Sequence, residues 1–213
     1  MMTLRRLVHE YTGSARAYLR RWNPPGLNSS SLKINYGCGL MAQPGYVGVD
    51  VRWTPAVEVI GDLSWCRKVY QGKVDEVYCS HVLEHYRYPG KEWRSGPDTV
   101  LGALADIMGM LKPGGVVRLA VPDFAAIARL YVDKNHGYFP VLSGRVNGEQ
   151  DYEQNRHLCM FDRLFLEKCL SSVGFVDFEI WEPQQLGFER DSSFDRVADE
   201  VTSLNLLARK PLK

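Results

Sequence analysis

A short, partly apolar run, Lys33-Ile34-Asn35-Tyr36, ends abruptly in Gly37-Cys38-Gly39, and eleven residues past Gly39 a second run, Tyr46-Val47-Gly48-Val49-Asp50, ends in an acid. This pairing restricts the fold more than any other feature of the chain. A strand that runs into a glycine turn lets backbone approach a ligand closely, because glycine has no Cβ and tolerates positive φ. An acid at the tip of the next strand can accept two hydrogen bonds from a ribose diol. Gly-x-Gly alone also fits many tight turns. Together the two features point to a nucleoside-containing cofactor at the C-terminal edge of a parallel sheet.

The rest of the chain has the texture such a sheet needs. Strands are expected at Leu32–Tyr36, Tyr46–Val51, Val57–Ile60, Val74–Cys79 and Val116–Val121, then at Phe175–Trp181 and Leu204–Ala208. Helical spacing appears in Asp98–Leu111, in a segment capped by Asp123 that runs to about Val132, and in Asp162–Val173 closed by Gly174. Ser80 is placed to cap a further helix carrying His81-Val82-Leu83-Glu84-His85. Alternating strands and helices give an α/β domain: a Rossmann-like, seven-stranded, mostly parallel sheet with an antiparallel C-terminal hairpin. Residues 133–157 lose periodicity and read as an irregular insertion on the acceptor side, since a long loop inside a compact domain is usually functional or disordered.

Residues 1–31 form a separate N-terminal segment ahead of a domain spanning 32–213. Leu4, Leu7, Val8, Tyr11, Ala15, Tyr18, Leu19 and Trp22 fall at helical steps, so residues 3–22 read as an amphipathic helix ended by Asn23-Pro24-Pro25-Gly26. Five arginines against Glu10 give this segment a net charge of +4, and the remainder carries −3. A helix packed on its own domain is the favoured reading; contact with an anionic membrane surface is the alternative.

Composition excludes several classes. A net charge of +1 over 213 residues offers no field for nucleic acid. Five cysteines with no C-x-x-C favour reduced thiols and a cytoplasmic setting. No apolar run approaches the roughly 18 residues of a membrane span, and the N-terminus lacks the apolar core of a signal peptide.

Taken together, Ile34–Gly39, Gly48-Val49-Asp50, Gly61-Asp62-Leu63, His81–His85 and Leu111-Lys112-Pro113-Gly114-Gly115 stand in the order of class I S-adenosylmethionine-dependent methyltransferases. With Pro44–Asp50 the chain resembles the small type often associated with surface-polysaccharide biosynthesis. The resemblance covers residues 32–125 well and the remainder loosely. It implies S-adenosyl-L-methionine as cofactor. Gly37, Cys38 and Gly39 would lie under its methionine part, with Asp50 on the ribose hydroxyls and Asp62 and Leu63 at the adenine. Ser80 and His81 would flank the sulfonium, and Tyr36 and Val51, beside these motifs, would also bind the cofactor. The chain departs from the pattern in having Leu40-Met41 where a third glycine is common, and in a first crossover so short that its helix is about one turn or absent.

Methyl transfer from a sulfonium needs alignment, exclusion of water and, for a hydroxyl acceptor, removal of a proton. Histidine suits the last task. His81, His85 and His157 are candidates, with His85 and His157 leading; for each the alternative is a histidine that only packs. Tyr138, Phe139, Arg145 and Arg156 are candidates for acceptor contact. Transfer to a small polar or sugar acceptor, at oxygen, is the resulting expectation, with no resident metal. Two competitors remain. One is a catalytically silent protein of the same fold. The other is a zinc peptidase, because His81-x-x-Glu84-His85 fits the H-x-x-E-H pattern, with Glu149 or Glu153 as a third ligand.

Overall fold

The computed structural model describes residues 4–133 and 139–213. Five parallel strands, β1 (Lys33–Tyr36), β2 (Val47–Asp50), β3 (Val59–Ile60), β4 (Val74–Ser80) and β5 (Leu111–Pro122), form one sheet with β6 (Val176–Ile180) and β9 (Ser203–Arg209). A small hairpin, β7 (Arg196–Val197) and β8 (Glu200–Val201), stands apart. The sheet order is β3-β2-β1-β4-β5-β9-β6, with β9 antiparallel to both of its neighbours. This is the Rossmann-like sheet with an antiparallel C-terminal hairpin expected from the sequence. The chain winds outward from β1 in one direction and from β4 in the other, so the topological switch lies between them, where a ligand crevice opens beyond the strand ends.

One face of the sheet is covered by α2 (Leu63–Tyr70), α3 (Val100–Met110) and α6 (Arg163–Val173), with α3 between the other two. Val100, Leu101, Leu104, Ile107 and Met110 of α3 are fully or almost fully buried. Thr99 caps α3 by accepting from the Gly102 N–H at 3.2 Å, and Asp162 caps α6 by accepting from Phe165 N–H at 2.8 Å. Gly174, at φ 104°, ends α6 in the left-handed conformation.

The opposite face is built differently. Residues 37–46 contain no helix, as the short crossover implied. Alternation along β4 and β5 points Val77, Cys79, Leu119 and Val121 to the helical side and Tyr78 and Ala120 to the other. There Tyr46, Tyr78, Trp181 and Phe188 pack ring against ring, mostly edge to face, and residues after β6 take the place of the missing helix. Buried Gln43 fastens this cover, donating to the Glu189 carbonyl at 2.9 Å and accepting from Glu189 N–H at 2.8 Å.

α1 (Leu4–Leu19) lies on its own domain. Gly13 sits so close to Trp53 that a Cβ there would be 2.3 Å from the indole, and Ala17 joins Cys38 and Val57 in one apolar cluster. Arg20 pairs with Glu58 at 3.0 Å. Leu19 and Trp22 remain exposed. Among the described residues, no helix is long and apolar enough to cross a membrane.

Three local expectations are corrected. Residues 81–85 are not a helix capped by Ser80: β4 continues to Ser80, His81 turns at φ 52°, and only Leu83–His85 coil, as a single 3-10 turn. His81 N–H bonds the Ala120 carbonyl at 2.8 Å, so the sheet ladder claims the residue before a helix can. Residues 133–157 are not wholly irregular, because α5 (Phe139–Asn147) forms there beside α4 (Phe124–Asp133). Leu142 buries against Ile127, Leu130 and Val197, Pro140 is tolerated in the first turn, and Gly148 at φ 74° stops the helix. Third, α2 has no counterpart among the sequence expectations, although Leu63, Cys66 and Tyr70 bury from one side of it.

Leu104→Ala is expected to cost about 2–5 kcal/mol in urea unfolding, because the cavity opens at the centre of the sheet–helix layer. Leu164→Ala, at a residue 78% exposed on α6, is expected to stay within about 0.5 kcal/mol.

Candidate functional site

A cleft of about 1220 Å³ opens at the C-terminal ends of β1, β2 and β4. Its floor is the β1 turn. Gly37 adopts φ 71°, and a Cβ there would lie 2.2 Å from Val82 Cγ2, so glycine is required both by conformation and by close approach. Gly37 N–H donates to the Val49 carbonyl at 2.8 Å, which locks the turn to β2. Gly39, at φ 52°, has no heavy atom within 4 Å of where its Cβ would be, leaving an open backbone surface on the cleft side.

Asp50 sits at the end of β2. Its Oδ2 accepts from Gly39 N–H and its Oδ1 from Arg52 N–H, both at 3.0 Å. Each oxygen keeps a lone pair for a further donor. Thr54 Oγ1 donates to the Gly39 carbonyl, tying the next loop to the same turn. Tyr36, Cys38 and Val51 also line the cleft. Burial and the Asp50 charge push the Cys38 thiol up to about 12, which makes it a packing group and not a nucleophile.

Asp62 and Leu63 are elsewhere. Asp62 Oδ1 accepts from Trp65 N–H at 2.7 Å and from Ser64 Oγ at 2.9 Å, capping α2. Leu63 is buried in the core. Neither lines the cleft; the loop Val51-Arg52-Trp53-Thr54 occupies that wall instead.

Beyond β4 the cleft becomes rich in imidazole. Ser80 Oγ is buried, against the Tyr78 hydroxyl. His81 holds its left-handed backbone, an uncommon state for a residue with a Cβ that clusters at functional sites. Its Nε2 lies 3.1 Å from Ser203 Oγ. Ser203 in turn donates to Asn205 Oδ1 at 3.0 Å, and Asn205 Nδ2 donates to the Ser193 carbonyl. The direction of that chain makes Ser203 the acceptor from His81 Nε2–H and leaves His81 Nδ1 bare. His85 Nδ1 donates to the Arg156 carbonyl and His157 Nδ1 to the Arg145 carbonyl, each at 3.0 Å, because a carbonyl only accepts. The two rings meet edge to face with centroids 5.1 Å apart.

Glu84 lies among these rings, 1% exposed, with neither carboxylate oxygen hydrogen-bonded. His81 Nδ1 is 3.4 Å and His157 Nε2 4.0 Å from its Oε1. Burial lifts the Glu84 carboxyl to about 8, and burial lowers the three imidazoles, His81 and His157 to about 4. The Glu84 carbonyl accepts from Leu158 N–H at 2.7 Å and Cys159 N–H at 3.2 Å, so this turn is sewn to the segment that brings His157.

Helical spacing would put His81 and His85 on one face; the structure instead brings His85 together with His157, with Glu84 between. The two-histidine helix of a zinc peptidase is therefore not formed. Arg145 and Arg156 line the cleft, whereas Phe139 does not. Arg145 is held by Asp195 through two hydrogen bonds of 2.9 and 2.7 Å. Tyr138 and the side chain of Glu153 lie outside the described residues. Arg52 and Tyr152 escape the sequence reading: the guanidinium stands 3.8 Å from the ring centroid and bridges the two walls. Nothing in their spacing signals a contact between residues so distant in the chain.

Comparison with protein-family models and with curated proteins gives no match. Solved structures give low-identity likenesses. An S-adenosylmethionine-dependent methyltransferase from Archaeoglobus fulgidus is 16% identical over 98% of this chain and 100% of that one, with a TM-score of 0.49. A possible histamine N-methyltransferase from Thermotoga maritima is 14% identical over 97% and 96%, with a TM-score of 0.48. A further S-adenosylmethionine-dependent methyltransferase, from Methanosarcina mazei, is 13% identical over 88% and 96%, with a TM-score of 0.47. At such values a functional reading rests on the sheet order and the cleft residues and not on the neighbours.

Gly37→Ala is expected to cost about 1–3 kcal/mol in urea unfolding, from the strained φ together with displacement of Val82.

Proposed function

We propose that this protein is an S-adenosylmethionine-dependent methyltransferase acting on a small polar or sugar acceptor, at oxygen. The observation that carries this reading is the convergence, in one open cleft, of the left-handed Gly37–Gly39 turn and the Asp50 carboxylate at the tip of the next strand. The cleft, about 1220 Å³, has room for a nucleoside cofactor and a small acceptor together.

The residues present fit the cofactor. Asp50 accepts the ribose hydroxyls with the lone pairs its backbone bonds leave free. The open backbone of Gly39 faces the methionyl part. The Val51–Thr54 loop supplies the wall for adenine that Asp62 and Leu63 do not. When bound, the cofactor supplies an electrophilic methyl on a good leaving group. The chain's own task is then to hold the acceptor oxygen in line with it and to dispose of a proton.

His85 and His157 suit the acceptor side. Their Nδ1–H groups are committed to backbone carbonyls, which fixes the ring orientations, and His157 keeps Nε2 as a lone pair. Arg156, from the same segment, is a cation for a polar acceptor. A polar cleft wall of this kind favours a sugar or similar polyol over an apolar acceptor, and a role in surface-polysaccharide biosynthesis fits that class. Five buried, unpaired thiols suit a reducing compartment, and we place the protein in the cytoplasm.

Calorimetry with S-adenosylhomocysteine tests the reading. Wild type is expected to bind, and Asp50→Ala to weaken binding by about 10- to 100-fold, as loss of charge-assisted hydrogen bonds worth about 1.5–3 kcal/mol implies. Absence of binding to wild type would overturn the assignment; binding unaffected by Asp50→Ala would overturn the role of that residue.

A further inference from the structure

Glu84, His85 and His157 each offer one ligating atom, and these atoms lie within 4.8 Å of one another at the inner end of the cleft. The chemistry of the cluster is one-sided. His157 Nε2 carries a lone pair because its Nδ1–H donates to the Arg145 carbonyl, and His85, oriented by the Arg156 carbonyl, brings one ligating atom to the same point. His81 Nδ1, beside Glu84, carries another because its Nε2–H is spent on Ser203. Glu84 adds a carboxylate, 1% exposed and unpartnered. Once ionised, Glu84 therefore meets the unprotonated nitrogens of His81 and His157 and no donor, since neither of its oxygens is hydrogen-bonded. Buried polar groups left in that state are costly, and a cation is the partner that satisfies them together.

We propose that Glu84, His85 and His157 bind a first-row divalent transition-metal ion. Two imidazoles with one carboxylate is a donor set suited to zinc, iron(II) or manganese, and less so to magnesium or calcium, which prefer oxygen. The main-chain carbonyls of Arg145 and Arg156 do for these histidines what outer partners do in metal sites, fixing tautomer and ring orientation. Ligands about 2.1 Å from a common ion stand roughly 3–3.5 Å apart, so the three side chains draw inward on binding. Three protein ligands leave a coordination position for a further oxygen.

That open position gives the ion a task, and this part rests on the methyltransferase reading. An acceptor hydroxyl oxygen bound there becomes more acidic. It releases its proton to water at the cleft mouth. The O–C bond forms as the C–S bond breaks, and sulfur keeps the electron pair. The histidines then serve as ligands and not as bases.

The test is equilibrium dialysis of metal-stripped full-length protein against Zn²⁺ and Mn²⁺, with S-adenosylhomocysteine calorimetry on the same samples. Wild type is expected to take up one ion per chain. His157→Ala and the near-isosteric Glu84→Gln are expected to weaken that uptake at least about 10-fold while still binding S-adenosylhomocysteine, which also shows that they fold. Asp50→Ala is expected to do the reverse, keeping the ion and losing the nucleoside. No uptake by wild type, or uptake unchanged in both His157→Ala and Glu84→Gln, would overturn the site. An ion bound at these residues in a wild-type chain that fails to bind S-adenosylhomocysteine would leave the metal site standing and overturn the methyltransferase reading.

Discussion

The hydrogen bond from Gly39 N–H to the Asp50 carboxylate joins the turn after β1 to the tip of β2, and the cleft takes its form from that junction. Gly37 N–H to the Val49 carbonyl makes the same connection one step earlier. Both bonds need backbone that turns with positive φ, and the nearby Val82 side chain leaves no room for a Cβ at Gly37. Because β1 lies between β2 and β4, this junction sits at the point where the strand order reverses. The ends of three strands are thereby aimed at one space.

The second organising contact belongs to Glu84. Its carbonyl captures the Leu158 and Cys159 N–H groups, drawing a segment distant in the chain over the cleft. The same segment carries His157, and its Arg156 carbonyl orients His85. The buried Glu84 carboxylate stands where the imidazoles meet. One wall of the cleft thus derives from the sheet and the other from chain returned to it.

Much of this is legible in the sequence, for physical reasons. All seven strands of the sheet read correctly, because short apolar runs bounded by glycine, proline and charge have few other uses. The turn and Asp50 read correctly in position because both belong to one local unit. Failures arise where a residue has two local uses. Asp62, expected at the adenine, also caps α2, as an Asp before a buried Leu63-x-x-Cys66 announces. Ser80 through His85 reads as a capped helix, but His81 is bound into the sheet ladder by the Ala120 carbonyl. The pairing of His85 with His157, and of Arg52 with Tyr152, is set by tertiary return of the chain and leaves no periodic trace.

The missing crossover helix also has a structural answer. Where a helix usually covers the sheet between β1 and β2, an aromatic cover of Tyr46, Tyr78, Trp181 and Phe188 is fastened by Gln43. The abbreviated turn therefore keeps its support. The central claim is that Gly37–Asp50 cradles the nucleoside while Glu84, His85 and His157 face the reacting end. A crystal structure of the full chain with S-adenosylhomocysteine tests it most directly. The account predicts the ribose diol on Asp50 and the sulfur directed toward Ser80 and the histidine cluster. A nucleoside bound away from Asp50, or a sulfur directed away from that cluster, would contradict it.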